Sequence, residues 1–214
     1  PPPPTPTGDA EVTVDGVKYK VLECVGKGGS SRVYKVLTPD LKVRALKKVK
    51  VPPAATAAVA AFANEIDLLR RLAGRRTIVQ LYAAEVRPAA GVVLLVLEYG
   101  DTDLAGMLAR LRDDGRAVST NFLRCHWEAM LEAVATIHGA RIVHTDLKPA
   151  NFLVVRGELK LIDFGIASRI PADDTTKVFL DAPRGTPNYM SPEALREEVA
   201  DDGLGGGGGG GGGG

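Results

Sequence analysis

The stretch RIVHTDLKPANFLVV, residues 141–155, sets His144, Asp146, Lys148 and Asn151 between two short apolar runs. Asp146 and Asn151 stand five residues apart on what reads as a loop, and Asp163, in LIDFG, follows Asn151 by twelve. Two carboxylates and an amide oxygen are hard donors: two of the three can hold Mg2+, leaving one carboxylate free as a base. Lys148 adds positive charge where a group in transfer would build up negative charge. The set suits moving a phosphoryl group from a metal-bound nucleotide to a hydroxyl.

The N-terminal half supplies matching parts. VGKGGSSRV, residues 25–33, lies across the junction of two expected strands, where backbone N–H groups can approach phosphates closely. Lys47, in ALKKV on the next strand, can reach those phosphates, and Glu65 on the following helix can pair with it. Singly, each feature is ordinary. A glycine-rich turn is usually a plain hairpin, a strand lysine is usually solvated, and a helix glutamate usually faces water. Their joint order and spacing carry the argument.

The elements that must position these residues are legible as periodicity. YKVLECV, SRVYKVL and KVRALKKV read as antiparallel strands, followed by the Ala-rich helical stretch AATAAVAAFANEIDLLRRLAG. In that helix Phe62, Ile66, Leu69 and Ala73 share a face and Gly74 is the stop. IVQLYAAEV and GVVLLVL read as two more strands, and residues 120–139 as a second helix with Trp127, Leu131, Val134 and His138 along one face. FLVV and LKLI make a last strand pair around Arg156-Gly157. The expected fold class is α+β: a five-stranded antiparallel sheet with one helix over residues 19–100, then a mainly helical region over 101–202.

The ends are low in complexity. Residues 1–18, starting PPPPTPTGDA, read as a disordered Pro-rich tail, and residues 203–214 as a glycine tract that buries no side chains. A net charge of +1 gives no global field, so neither nucleic acid nor membrane is an expected partner. The two cysteines, Cys24 and Cys125, have no metal-ligand spacing and read as reduced thiols. Neither a secretory leader nor a membrane-spanning run is visible, so an intracellular protein is expected.

Together these motifs resemble a protein kinase catalytic domain over roughly residues 19–200. GKGGSSRVYKV, HTDLKPANFLVV, LKLIDFGIA and GTPNYMSPEA are most similar to the monopolar-spindle (TTK-type) dual-specificity kinases. The resemblance implies a two-lobed fold, ATP and Mg2+ as cofactors, and protein Ser/Thr hydroxyls, with Tyr as a further acceptor. It makes Gly26, Gly28 and Val33 the lid over ATP, with Val25, Lys27, Gly29, Ser30, Ala45 and Leu153 also against the nucleotide. Lys47 contacts the α- and β-phosphates and Glu65 orients it. Glu98 and Tyr99 form the hinge that binds adenine, with Leu97 as gatekeeper. Asp146 is the catalytic base, Lys148 steadies the γ-phosphate, Asn151 and Asp163 bind Mg2+, and Thr186 contacts the catalytic loop. Leu69, Leu81, His144 and Phe164 match a hydrophobic stack linking the lobes. Kinetochore proteins as partners, spindle-checkpoint signalling, and residence in nucleus and cytoplasm are implied by the resemblance alone.

Departures from the pattern matter too. Ser31 replaces the third glycine of the loop, which a tight turn tolerates. Thr145 replaces the Arg that pairs with an activation-loop phosphate in many kinases, so that control must run differently here, with Arg169 or a lysine as substitutes. Thr175 and Thr176, in DDTTKVF, are candidates for autophosphorylation. After Ser191-Pro192-Glu193 the chain turns to glycine where the resemblance calls for a buried central helix. A fragment of low stability and little activity is therefore expected. The rival reading is a pseudokinase scaffold, which the presence of Lys47, Asp146 and Asp163 opposes. A dinucleotide-binding oxidoreductase fits poorly, because its glycine loop must lead into a helix.

Overall fold

The structure, a computed structural model, describes residues 10–51, 56–164, 168–169 and 186–192. Six strands form an antiparallel upper sheet in the order β1-β2-β3-β4-β6-β5. They are β1 Glu11–Val14, β2 Val17–Lys27, β3 Ser31–Leu37, β4 Val43–Lys50, β5 Leu81–Arg87 and β6 Val92–Glu98. The helix α1, Thr56–Arg71, lies between β4 and β5 in sequence.

The sheet has six strands rather than five, because residues 10–18 are not tail. Asp15 and Gly16 take φ of 49° and 75°, the two-residue turn whose twist matches a hairpin. Register then pairs Val14 with Val17 and Val12 with Tyr19, and buries Val14 and Tyr19 with Val21, Val36, Leu46, Leu94 and Val96. The Pro-rich start and the glycine tract lie outside the described residues.

On the other face of the sheet, Val49, Val51, Val93 and Leu95 pack with Ile66 of α1. Leu68 and Leu69 of the same helix, with Leu72 just beyond its end, enter the core of the lower lobe, so α1 is clamped between both. Ala73, expected on the buried face, is exposed; the helix ends at Arg71, and Leu72 takes the inward position instead. Ile78 and Val79 lie before β5 and bond across to Leu161, which joins the lobes through backbone.

The lower lobe holds α2, Leu104–Asp113, and α3, Thr120–Gly139, with a three-stranded sheet of β7 Thr102–Asp103, β9 Phe152–Val155 and β10 Glu158–Leu161. A second small pairing joins β8, Ile142–Val143, to β11, Ser168–Arg169. Asp103 caps α2 by accepting the Gly106 N–H at 2.8 Å, and Ser119 caps α3 in the same way.

The face that α3 buries is not the one that carries Trp127 and Leu131. Ala133 and Ile137 are fully buried, with Phe122, Ala129 and Met130 packed on the same core, while Trp127 and Leu131 stand 61% and 53% exposed. Val134 is half-buried and His138 exposed. Both stripes have helical spacing, so periodicity cannot choose between them; small Ala133 and Ala129 permit the close approach. No helix among the described residues is long and apolar enough to cross a membrane.

Candidate active site

The cleft between the lobes has a volume of about 360 Å3. Its roof is Val25 and Gly26 of β2, Val33 of β3 and Ala45 of β4; its back is Leu97, Glu98 and Tyr99; Leu153 of β9 is its floor. Alternation along the strands accounts for most of this selection, and the register shift between Cys24 and Gly26 lets adjacent Val25 and Gly26 both contribute. Gly26 pairs with Val33 on the cleft side, so their neighbours Lys27 and Arg32, also paired, point the other way. Lys27, Gly28, Gly29 and Ser30, expected against the nucleotide, do not border this cleft. They form a turn closed by Gly28 N–H donating to Ser31 O at 2.8 Å, and border a separate concavity on the far face of the sheet.

At the inner end of the cleft, Lys47 Nζ lies 3.2 Å from both Glu65 Oε1 and Asp163 Oδ1. Burial pulls the Lys47 ammonium down, but the two carboxylates outweigh it and hold its pKa above the ordinary value. Burial pushes the Glu65 carboxyl up, offset only in part by Lys47 and reinforced by the Asp163 charge. Glu65 is 1% exposed, and its Oε2 has no hydrogen-bond partner among the described residues.

Below it, three side chains from two distant segments close on one another. Lys148 Nζ is 2.6 Å from Asp146 Oδ2 and donates to Thr186 Oγ1 at 2.7 Å; the Thr186 hydroxyl donates to Asp146 Oδ1 at 2.7 Å. Asn151 Nδ2 donates to the Asp146 carbonyl at 2.7 Å and fixes the loop from beneath. Burial pushes the Asp146 carboxyl up, yet hydrogen bonds from Lys148 and Thr186 and the Lys148 charge hold it below the usual range. The result is a carboxylate that stays ionised. Thr145 and Asp163, directly before Asp146 and Phe164, take φ of 61° and 62°. Side chains other than glycine rarely adopt this left-handed region, and it occurs here at or directly before both carboxylates.

His144 is 1% exposed; its Nε2 lies 3.0 Å from the Ile162 carbonyl, and Nδ1 faces the Asp146 N–H at 3.4 Å. Its ring meets Phe164 edge-on, with centroids 5.4 Å apart. Leu69 and Phe164 share one buried cluster with Leu81 packed against it, so the expected stack is formed.

Sequence reasoning missed one charged pair. Lys160 Nζ on β10 lies 2.8 Å from Oε2 of Glu98 at the back of the cleft, with both side chains buried, and Arg156 approaches Glu98 at 3.5 Å. Next to it, Gly100 is held so close to β9 that a Cβ there would collide with the Leu153 side chain and the Val154 carbonyl.

The donor set fits Mg2+ bound through phosphates. Asp163 offers a half-exposed carboxylate to the cleft, and donation by Asn151 Nδ2 leaves its amide oxygen as the ligating atom. No cluster of three or more His, Cys, Asp or Glu among the described residues could hold a metal by itself. One or two side-chain donors completed by phosphates and water is the usual Mg2+ arrangement. Thr175, Thr176 and Glu193 lie outside the described residues. Arg169 is on β11, paired with Ile142.

The comparisons with known proteins agree with this geometry. The protein kinase domain family matches residues 19–203. The serine/threonine-protein kinase mph1 of Schizosaccharomyces pombe is 49% identical over 187 residues, which are 87% of this chain and 27% of that protein. The serine/threonine-protein kinase MPS1 of Saccharomyces cerevisiae is 41% identical over 184 residues, 86% of this chain and 23% of the relative. The dual specificity protein kinase TTK of Mus musculus is 39% identical over 187 residues, 87% and 21% respectively. The chain thus spans about a quarter of the length of these relatives. It belongs to the protein kinase family and is similar, across most of its length, to the monopolar-spindle (TTK-type) kinases.

Proposed function

We propose that the chain transfers the terminal phosphoryl group of ATP to Ser and Thr hydroxyls of proteins, and to Tyr as a further acceptor. The observation that carries this reading is the closed triangle of Asp146, Lys148 and Thr186, in the same chain as the Lys47–Glu65 and Lys47–Asp163 pairs at the inner end of the cleft. Ionised Asp146 accepts the proton of the incoming hydroxyl as its oxygen bonds to phosphorus and the bond to the leaving diphosphate breaks. The Lys148 ammonium offsets charge on the oxygens in transfer, and Lys47, held by Glu65, anchors the phosphates upstream. Asn151 and Asp163 would hold Mg2+, which would supply charge neutralisation on the phosphates.

The similarity to monopolar-spindle (TTK-type) kinases supports a finer reading, a role in mitotic spindle-checkpoint signalling; kinetochore proteins as substrates and residence in nucleus and cytoplasm rest on the resemblance alone. The biochemical test is transfer from labelled ATP with Mg2+ to a generic basic protein, beside Asp146→Asn. Loss of the general base predicts a fall of about 10²–10⁴-fold. ATP binding without transfer in either protein would favour a scaffold instead. For the finer reading, a fluorescent fusion of the full-length protein should gather at kinetochores in dividing cells, and diffuse signal throughout mitosis would oppose it.

A further inference from the structure

The residues that strand alternation turns away from the cleft build a site of their own. Lys27 of β2 pairs with Arg32 of β3, and Arg32 pairs with Lys48 of β4, so three cations lie side by side across adjacent strands. Lys50 stands two residues beyond Lys48 on the same face. All four are exposed and, with Tyr34 beneath, border a concavity of about 230 Å3. Like charges directly opposite one another across a sheet are unfavourable. None of the four is in an ion pair with a described carboxylate, and Glu23 on β2 is taken by Lys35. With a net charge of only +1 over the whole sequence, this is a local concentration of charge, not a share of a general one.

We propose that this concavity docks a phosphorylated segment of a protein partner, with phosphothreonine or phosphoserine oxygens taken by Arg32, Lys48, Lys50 and Lys27. A guanidinium flanked by ammonium groups matches a dianionic phosphate with several acceptor oxygens better than a single carboxylate. The row crosses three strands, roughly 10 Å, which suits one phosphate and its immediate neighbour. A nucleic-acid strand needs a longer charged track and exposed aromatic rings for its bases, and the one ring here, Tyr34, is partly buried as floor. The kinase reading enters only in the choice of ligand, since phosphorylated hydroxyls are what that reaction makes. Ser31 borders both this concavity and the cleft, so a docked segment lies on the reverse side of the nucleotide's roof.

The test is fluorescence anisotropy with the whole chain and a labelled, doubly phosphorylated Thr peptide with otherwise neutral residues. Saturable binding is expected, weakened about tenfold or more in the Arg32→Gln, Lys48→Gln, Lys50→Gln triple variant and progressively by salt. Excess Mg-ATP should not displace the peptide, and the triple variant should bind Mg-ATP as the parent does, which also reports that it is folded. Equal binding of the peptide by the triple variant, or displacement by Mg-ATP, would overturn the proposal. So would equal affinity for the unphosphorylated peptide with Glu at both positions, or tighter binding of a single-stranded oligonucleotide. Phosphopeptide binding that depends on the three side chains, in a chain that fails to bind Mg-ATP, would support the docking site and remove the nucleotide reading alone.

Discussion

The hydroxyl of Thr186 donates to Asp146 Oδ1 at 2.7 Å while Lys148 holds the other carboxylate oxygen, so two segments forty residues apart share one ion. Thr186 also accepts from Lys148, which makes its hydroxyl the bridge between base and ammonium. Thr186→Val keeps the shape and removes both bonds. Losing a hydrogen bond to a charged group costs about 1.5–3 kcal/mol, which corresponds to a fall in kcat of roughly tenfold to a hundredfold. KM for ATP should hold, because Thr186 is not among the residues lining the nucleotide cleft. Thr186→Ser should recover most of the rate; a Val variant with full kcat would remove the bridge from the mechanism.

Lys47 is the described group that offsets the buried charge of Glu65. Replacing it by Met leaves a carboxylate that is 1% exposed with no cation beside it. Breaking such a pair by removing one partner costs about 3–5 kcal/mol, whereas removing both is close to neutral. Chemical denaturation of Lys47→Met, Glu65→Leu and the double variant should therefore give a strongly non-additive cycle, with the double variant more stable than Lys47→Met. Additive losses would mean that the two side chains do not depend on one another.

These two groups were legible because their chemistry is tied to short motifs, and the strands around them because Val-rich alternation is strong. β3 runs over SRVYKVL as its residues suggest, and α3 has its expected bounds. What failed did so for particular reasons. β1 was hidden by Pro-rich neighbours, although Asp15-Gly16 between EVTV and VKYK is a hairpin signal. α2 was passed over although Asp103 caps LAGMLARL. The inward face of α3 was ambiguous because two apolar stripes share one helix, and which of them meets β10 is a tertiary choice. In the glycine loop, alternation sends Lys27 to the far face, which its residue type alone does not show. Lys160 could not be read at all, since its burial depends on Glu98, 62 residues earlier.

That pair makes a prediction about the hinge. Lys160 and Glu98 are 8% and 5% exposed, and their 2.8 Å contact fastens the hinge to the strand that leads into Asp163. Lys160→Met should destabilise the fold by about 3 kcal/mol and raise KM for ATP more than it lowers kcat, since the hinge is a binding element. Arg156 lies at 3.5 Å and is exposed, so it cannot replace a buried partner. Glu98→Leu with Lys160→Met should recover stability. If Lys160→Met lowered kcat alone, the hinge account would fail.

His144 carries the pH dependence. Burial pulls its pKa below the ordinary 6.5, against the Ile162 carbonyl and the charges of Asp163 and Asp146, which raise it, while Lys148 assists the fall. Neutral His144 donates from Nε2 to Ile162 and accepts the Asp146 N–H at Nδ1; protonation would place a hydrogen on that acceptor. A depressed folded pKa gives stability that is complete above about 6.5 and is lost as pH falls through the folded value. Asp146, also depressed, gives the same sign but lower, beneath the ordinary carboxylate range. Thermal unfolding should therefore weaken in two steps on acidification, the first beginning below about pH 6.5. His144→Gln, whose amide can donate to Ile162 without titrating, should flatten the first step and leave the second. An unchanged slope in that variant would assign the step to another group.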